Sequence, residues 1–245
     1  MFSLKNHPFA VDAFFEKSIV LTFAVPKQEL ESLIPECLTL DTFNNQYAFI
    51  AIAMVQTKNL RPKGLPKFLG NDFFLIGYRI FVRYTNPNGK ILRGLYIIKS
   101  ETNKAKMQFL GNLFTQYKYT KTDIQETKSE EKTSIKSIKS DFKVILNNNL
   151  NNVELPIKSP FQSWKEARKF AGPLPFTFTY NEKTNEILII QGVRKHWKPK
   201  PINVDYFHFS FLNTLHFKNI QLANAFVINN IPYSWKKGKI ERWKK

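Results

Sequence analysis

The chain has 245 residues, of which 43% are hydrophobic, enough for a continuous buried core in one large β-rich domain. Phe alone supplies 23 residues, so large rings must fill an interior or line a cavity. The formal charge is +18, yet only seven of the 37 basic residues are arginine, the usual choice for bidentate phosphate and base contacts, so we expect no specific nucleic-acid partner.

The cysteine content and the apolar runs bear on the compartment. Cys37 is the one cysteine, which excludes an internal disulfide and fits a reducing compartment. The first residues lack the basic region and apolar core of a signal peptide. The longest apolar run, residues 47–55, is about half the roughly 20 residues that span a bilayer as a helix. We expect a cytoplasmic protein with no membrane partner.

The first 100 residues predict mainly strands. Residues 18–25 predict a strand, 26–34 a short helix that ends at Pro35, 47–57 a central strand, and 58–72 an exposed loop. The sequence NPNG then separates two apolar arms, 73–85 and 90–100, which predicts a long hairpin.

The first arm of this hairpin has two different faces, because side chains alternate along a strand. One face is apolar and belongs to the core: Phe74, Ile76, Tyr78, Ile80 and Val82. The other face mixes apolar residues, a glycine and two arginines, as the inner wall of a partly polar cavity does: Leu75, Gly77, Arg79, Phe81 and Arg83.

The rest of the chain predicts two helices and further strands. Residues 103–114 predict a helix that leads into a strand, and the polar residues 125–141 predict a protruding hairpin or a mobile loop. Ser159 and Pro160 predict the start of a second helix, which Gly172 stops. Residues 176–193 predict another hairpin, and two more strands follow. The sum is an α+β protein, one domain over 1–245, built around a curved antiparallel sheet or closed barrel with about three short helices.

The sequence offers little evidence for a metal site, a nucleotide cofactor or a catalytic nucleophile. The four histidines, His7, His196, His208 and His216, are scattered without a ligand spacing, so no metal is predicted. His208 lies in a strand pattern and suits a hydrogen-bonded histidine at a barrel wall better than a catalytic one. No serine elbow and no glycine-rich phosphate loop is present, so no nucleotide cofactor is predicted. Cys37 is best interpreted as a buried, inert thiol.

Two basic clusters contain tryptophan. Residues 194–201 and 233–245 place Trp197, Trp235 and Trp243 beside lysines. Such rings can stack on single-stranded bases or lie at a membrane interface, and a solvated tail is the favoured alternative.

The motifs along the chain resemble the YqjF-like family of uncharacterised bacterial proteins. The matching residues are Leu33, Ile34, Pro35, Leu38, Leu40, Asp41, Phe43, Met54, Arg61, Pro62, Gly64, Leu65, Pro66, Arg79 and Val82. Asn45 stands where the family usually has a turn glycine. The segments RKFAGPLPFTF and INNIPYSW are similar to the family's C-terminal pieces, so the resemblance covers nearly the whole chain.

This family is similar in fold to acetoacetate decarboxylase, which implies a cone-shaped antiparallel barrel with an internal cavity. In the decarboxylase, the first of two consecutive lysines forms a Schiff base with the substrate ketone, and the second lowers its pKa. Lys118 matches the first lysine, and Tyr119 stands in place of the second. A shift of one residue would place Tyr117 there instead. Leu75 replaces a carboxylate that is glutamate in many members.

These observations lead to one expectation and two alternatives. We expect a small aromatic or carboxylate compound in a cavity lined by Leu75, Gly77, Arg79, Phe81, Tyr117, Tyr119 and His208, without an intact lysine pair. The first alternative is a Schiff-base lyase or decarboxylase with Lys118 as the catalytic residue. The second is a basic module that binds nucleic acid or a membrane surface. The oligomeric state stays open.

Overall fold

A computed structural model describes residues 3–195 and 197–243. The strands of these residues are β1 (Val11–Pro26), β2 (Thr39–Leu40), β3 (Tyr47–Pro62), β4 (Asn71–Thr85), β5 (Ile91–Thr102), β6 (Tyr119–Lys121), β7 (Gln125–Lys128), β8 (Lys132–Ser137), β9 (Phe142–Asn147), β10 (Phe176–Asn181), β11 (Glu186–Arg194), β12 (Lys200–Pro201), β13 (Val204–Phe209), β14 (Gln221–Trp235) and β15 (Lys239–Arg242). The helices are α1 (Lys27–Leu30), α2 (Ala105–Phe114), α3 (Trp164–Ala171) and α4 (Ser210–Asn213), with 3₁₀ turns at Leu4–Asn6, Glu31–Leu33 and Lys67–Leu69. The protein is a mixed α+β fold.

Eleven of the strands form one large sheet whose pairings return to their start. The circuit runs β14, β1, β3, β4, β5, β10, β11 and back to β14. Six of its seven pairings are antiparallel, and β10 pairs with β5 in parallel. The short strands β2, β6, β12 and β15 attach to its edges, β6 in parallel with β5. The prediction of antiparallel pairing therefore holds except at these two parallel contacts.

The predicted hairpin of β4 and β5 closes at the NPNG sequence, where Gly89 adopts a φ of 75° that favours glycine. The turn before β3 uses Asn44 and Asn45 instead, with φ values of 52° and 54°. Asparagine tolerates this left-handed backbone better than most residues do, which explains how Asn45 replaces a turn glycine.

The main core lies on one face of the large sheet. The predicted apolar face of β4 packs there with every second residue of β1 and β3. β1 and β3 also have apolar residues on their other faces. The opposite faces of β3 and β4 present smaller or mixed side chains, including Ala51, Ala53 and Arg79. One face of these strands is therefore packed solid and the other borders a hollow.

A second sheet of four strands, in the order β13, β9, β8, β7, covers that core. Within residues 125–141, β7 and β8 pair as an antiparallel hairpin of this sheet, so the predicted hairpin is present and the alternative of a mobile loop is wrong. Ile135 is fully buried against the core, together with Val144 and Leu146 of β9. The alternation of Thr133, Ile135 and Ser137 on the inner face was the sequence signal for this packing.

Helix α3 begins later than predicted. Its N-cap is Ser163, whose Oγ accepts a hydrogen bond from the Glu166 backbone N–H at 3.2 Å, and the Glu166 carboxylate accepts one from the Gln162 N–H at 2.8 Å. These contacts resemble a capping box. The predicted cap, Ser159, instead donates to the carbonyl of Ala223 on β14 at 2.7 Å. Gly172 ends the helix as predicted.

Among the described residues, helices are too short or too polar to cross a lipid bilayer.

Candidate functional site

The hollow beside the large sheet is a cavity of about 110 Å³. Every strand of the pairing circuit contributes to its wall, and the segment after α3 completes it. Its lining residues include Ser18, Val20, Ala51, Ala53, Val55, Leu75, Arg79, Phe81, Leu95, Ile97, Tyr117, Tyr119, Pro173, Pro175, Thr177, Arg194, Trp197, Phe226, Tyr233 and Trp235. A cavity of this size exceeds the space of a single water and can hold a compound of a few heavy atoms.

Arg79 of β4 projects into this cavity. Its Nε is buried and has no hydrogen-bond partner among the described residues, and no described carboxylate forms an ion pair with its guanidinium. Burial lowers the pKa of Arg79, and the nearby hydroxyl groups of Tyr233, Tyr119 and Tyr117 oppose that shift. An arginine side chain nevertheless keeps its charge in proteins. The cavity therefore contains a largely buried positive charge whose counter-charge is absent from the described residues.

Gly77 makes room for the Arg79 side chain. The two residues are two positions apart on β4 and share one face. A Cβ atom at Gly77 would lie 2.8 Å from the Arg79 Nε and 3.0 Å from a terminal nitrogen. The edge of the guanidinium formed by Nε and a terminal nitrogen thus faces the glycine, which is why Gly77 belongs to the site although it does not itself border the cavity.

Three tyrosines surround the charge. The Tyr117 hydroxyl hydrogen-bonds Thr177 Oγ1 at 2.8 Å, and burial raises the Tyr117 pKa to about 12. Burial also raises the pKa of Tyr119, so both phenols are neutral hydrogen-bonding groups at physiological pH. The Tyr233 ring stacks on Phe15 at 4.5 Å, and its hydroxyl fills the space that Gly192 leaves open.

A second arginine lies at the other side of the cavity. Arg194 of β11 donates to the Pro173 carbonyl at 2.6 Å, and its guanidinium carbon lies 4.5 Å from the centre of the Trp197 ring. The Trp197 Nε1 is buried and has no partner among the described residues. Arg194 is therefore held by the protein, whereas Trp197 and Arg79 present unused donors.

Lys118 lies outside the cavity. Its backbone φ is 52°, it precedes the first residue of β6, and its side chain is exposed, while Tyr117 and Tyr119 on either side line the cavity. Lys118 lies before β6, so the side-chain alternation of a strand does not apply to it. The structure thus brings Tyr117 and Tyr119 to the cavity wall and leaves Lys118 outside it.

His208 also lies elsewhere. It belongs to β13 of the second sheet, where its Nε2 is 3.3 Å from an Asp141 carboxylate oxygen and 3.1 Å from Ser210 Oγ. Among the described cavity residues the expected Leu75, Arg79, Phe81, Tyr117 and Tyr119 come together, and His208 does not. The β13 rings of Phe207 and Phe209 pack on Phe23 of β1, on the core face of the large sheet, so His208 lies on the side of that sheet away from the cavity.

No three histidine, cysteine, aspartate or glutamate side chains of the described residues converge as metal ligands. His196 lies outside the described residues. Cys37 is buried and free, and burial raises its pKa to about 12, so it stays a protonated thiol.

Sequence reasoning missed several wall residues. Thr177 lies on the face of β10 opposite the core residue Phe178, a signal that period-2 alternation contained. Trp197 and Trp235 were grouped with a basic tail, yet both line the cavity, and Trp243 packs edge-on against Tyr180 at 6.2 Å. Because lysines lie close to Trp197 and Trp235 in the sequence, these two rings were interpreted as parts of basic clusters and not as cavity wall.

Solved structures define the class of fold. The chain is similar to acetoacetate decarboxylase from Legionella pneumophila subsp. pneumophila, with a TM-score of 0.60 and 11% identity over 96% of this chain and 88% of that one. It is also similar to an acetoacetate decarboxylase-like enzyme from Sphingomonas wittichii RW1, with a TM-score of 0.57 and 10% identity over 99% and 95% of the two chains. The enduracididine biosynthesis enzyme MppR, solved in complex with pyruvate, gives a TM-score of 0.54 and 6% identity over 95% and 90%. The fold is acetoacetate decarboxylase-like.

Within this class, the chain belongs to the DUF2071 family, described as an uncharacterized conserved protein (COG2071), which matches residues 13–228. This is the YqjF-like family that the sequence motifs resemble, so that prediction is confirmed. No curated protein matches the chain.

Proposed function

We propose that the protein binds a small organic carboxylate, aliphatic or aromatic, in the cavity and that Arg79 contacts its negative charge. The observation that carries this proposal is the Arg79 guanidinium, which is largely buried and has no counter-ion among the described residues. A buried unpaired charge is expensive, and an anionic ligand would offset that cost. The unpartnered Trp197 Nε1 adds a second donor for an acceptor-rich group.

The size and surroundings of the cavity narrow the ligand. About 110 Å³ suits a compound with a few carbon atoms beyond its carboxylate. The wall around Arg79 is mostly apolar, with Leu75, Phe81 and Phe226, so the rest of the ligand should be uncharged. Pyruvate, which occupies the similarly folded MppR, has this chemistry.

We propose that the closed circuit of strand pairings is a cone-shaped barrel and that residues 1–245 form one domain around it. Two features support this proposal. The circuit returns from β11 to β14, and each of its seven strands contributes to the cavity wall.

We further propose that the cavity works without a Schiff-base lysine. Its described lining residues include two arginines and no lysine, and Lys118 is exposed. Trp197 and Trp235, two of the three tryptophans in the basic clusters, line the cavity. Few exposed rings are then left to stack on bases, so we do not assign nucleic-acid or membrane binding to the basic surface.

Calorimetric titration with pyruvate and benzoate, beside their uncharged amides, tests the carboxylate proposal. We expect the acids to bind and the amides to bind at least ten-fold more weakly, because charge-assisted hydrogen bonds contribute about 1.5–3 kcal/mol. Arg79→Gln should remove the preference for the acids. The matched control is Arg168→Gln, which changes an exposed arginine of α3. An unchanged preference in Arg79→Gln would refute the role of Arg79.

Borohydride reduction in the presence of pyruvate tests the absence of Schiff-base chemistry. We expect the intact mass of the wild-type protein to stay unchanged. A stable adduct that disappears in Lys118→Ala would instead establish the decarboxylase-like alternative.

A further inference from the structure

A second pocket adjoins the cavity on the far side of the tyrosine pair. It lies between α2 and the ends of β1, β3 and β4, with a volume of about 420 Å³. Six aromatic rings line it: Phe9, Phe73, Phe114, Tyr117, Tyr119 and Trp235. It shares Tyr117, Tyr119, Leu75 and Trp235 with the cavity that contains Arg79. We call it the apolar pocket.

Two polar atoms in this apolar wall have no partner among the described residues. His7 is 6% exposed and its Nε2 is buried and unpaired, and Thr57 is 1% exposed with an unpaired Oγ1. Buried polar groups are normally hydrogen-bonded, so two orphans in one pocket indicate a missing partner. Two backbone hydrogen bonds fix the position of His7. Its N–H donates to the Phe114 carbonyl at 3.0 Å, and its carbonyl accepts from the Gly238 N–H at 2.9 Å.

The charges around the pocket indicate a neutral ligand. Arg61 is the one charged lining residue described, and it already donates to the carbonyl oxygens of Leu65 and Asn59, each at 2.8 Å. Burial lowers the pKa of His7 to about 4, so its imidazole is uncharged at physiological pH. A carboxylate would lose its hydration here and could pair only with Arg61, whose Nε and one terminal nitrogen already donate to backbone carbonyls.

We propose that the apolar pocket is a separate binding site for an uncharged aromatic compound with a hydroxyl group, a monocyclic phenol or a close relative. The ring packs among the aromatic side chains, where offset and edge-on contacts stabilise it. The hydroxyl group pairs with His7 Nε2 or Thr57 Oγ1, each of which can accept or donate according to the ligand. This site is independent of the carboxylate proposed at Arg79.

Titration with phenol and toluene, followed by ligand-observed NMR, tests the proposal. The two probes differ by one hydroxyl group, so we expect phenol to bind about three- to ten-fold more tightly than toluene, the range for one neutral hydrogen bond. Thr57→Val removes the hydroxyl group, and His7→Asn replaces the imidazole by a shorter amide that does not extend to the Nε2 position; at least one of them should abolish this difference while toluene binding stays. Asparagine tolerates the left-handed backbone of His7, whose φ is 51°.

Thr22→Val is the matched control. Thr22 is fully buried and its hydroxyl is also unpaired, but it lies outside the pocket. It should leave the phenol preference intact. Leu110→Trp fills the pocket from α2 and should abolish binding of both probes, while pyruvate binding at Arg79 persists. Equal affinity for phenol and toluene in the wild type, or a preference that survives both polar substitutions, would overturn the proposal, as would phenol binding that survives in a folded Leu110→Trp variant.

Discussion

At the scale of single residues, Gly77 and Arg79 act as a pair. Gly77→Ala would place a Cβ 2.8 Å from the Arg79 Nε, so the guanidinium must move away from β4. We expect pyruvate affinity to fall several-fold. The midpoint of urea unfolding should stay the same or rise, because glycine weakens a strand interior. Calorimetry and urea titration of the same samples separate these effects, and a loss of stability with unchanged affinity would contradict the assigned role.

His7 should make stability depend on pH. Its folded pKa is about 4, below the ordinary 6.5, so between these values the unfolded chain binds a proton that the folded protein does not. The free energy of unfolding should therefore fall as pH drops from 6.5 to 4, by about 3 kcal/mol at 1.36 kcal/mol per pKa unit. His7→Asn should lack this loss.

Urea titrations at several pH values measure the difference between the two proteins, which cancels the contribution of other groups. His216→Asn is the control, because His216 has the same left-handed backbone, with a φ of 54°, but is exposed. Parallel pH curves for the wild type and His7→Asn would show that the His7 imidazole titrates normally.

The sequence predicts some of the residues that line the cavity and fails to predict others. Alternation along β4 places Leu75, Arg79 and Phe81 on one face, and they share the cavity wall. Lys118 was a candidate through the family resemblance, and it lies outside the cavity because a left-handed backbone there precedes the strand. Neither sequence spacing nor residue type marks such a change of direction for a lysine.

At the scale of elements, Asp41 joins three strands and a helix. Its carboxylate is fully buried and accepts from Arg83 of β4 at 2.6 Å and Arg93 of β5 at 2.7 Å, shortly after β2. Arg93 also donates to the Phe170 carbonyl of α3 at 3.1 Å. Asp41, one of the residues that match the family, therefore belongs to a structural junction.

Asp41→Asn should destabilise the protein substantially. Removing one partner from a buried ion pair costs about 3–5 kcal/mol, and we expect the lower end because Arg83 and Arg93 retain 41% and 36% exposure and can rehydrate. Urea unfolding measures this loss. In the control Asp205→Asn, the exposed pair with Lys132 should contribute less than about 1 kcal/mol. Equal effects of the two substitutions would refute the junction.

Element boundaries were harder to predict than element types. The Ser163 and Glu166 spacing of a capping box is present in the sequence, but the Ser159 and Pro160 pair is an equally ordinary start signal. A tertiary contact selects Ser163 as the cap, because the Ser159 hydroxyl group donates instead to the carbonyl of Ala223 on β14, 64 residues away.

At the scale of the whole molecule, the closure of the circuit depends on contacts that no local pattern encodes. Residues 192–194 of β11 pair with 233–235 of β14, and the second sheet joins 125–147 to 204–209. Strand periodicity predicts the individual hairpins, while the family resemblance supplies the expectation of a barrel. The hollow itself results from small residues such as Ala51 and Ala53 on the inner face.

A crystal structure of the protein soaked with pyruvate tests the central claim most directly. We expect pyruvate in the cavity of about 110 Å³, with its carboxylate about 3 Å from the Arg79 guanidinium and no covalent bond to any lysine. Pyruvate joined to a lysine Nζ, or bound elsewhere while Arg79 pairs with a side chain of the protein, would contradict the account.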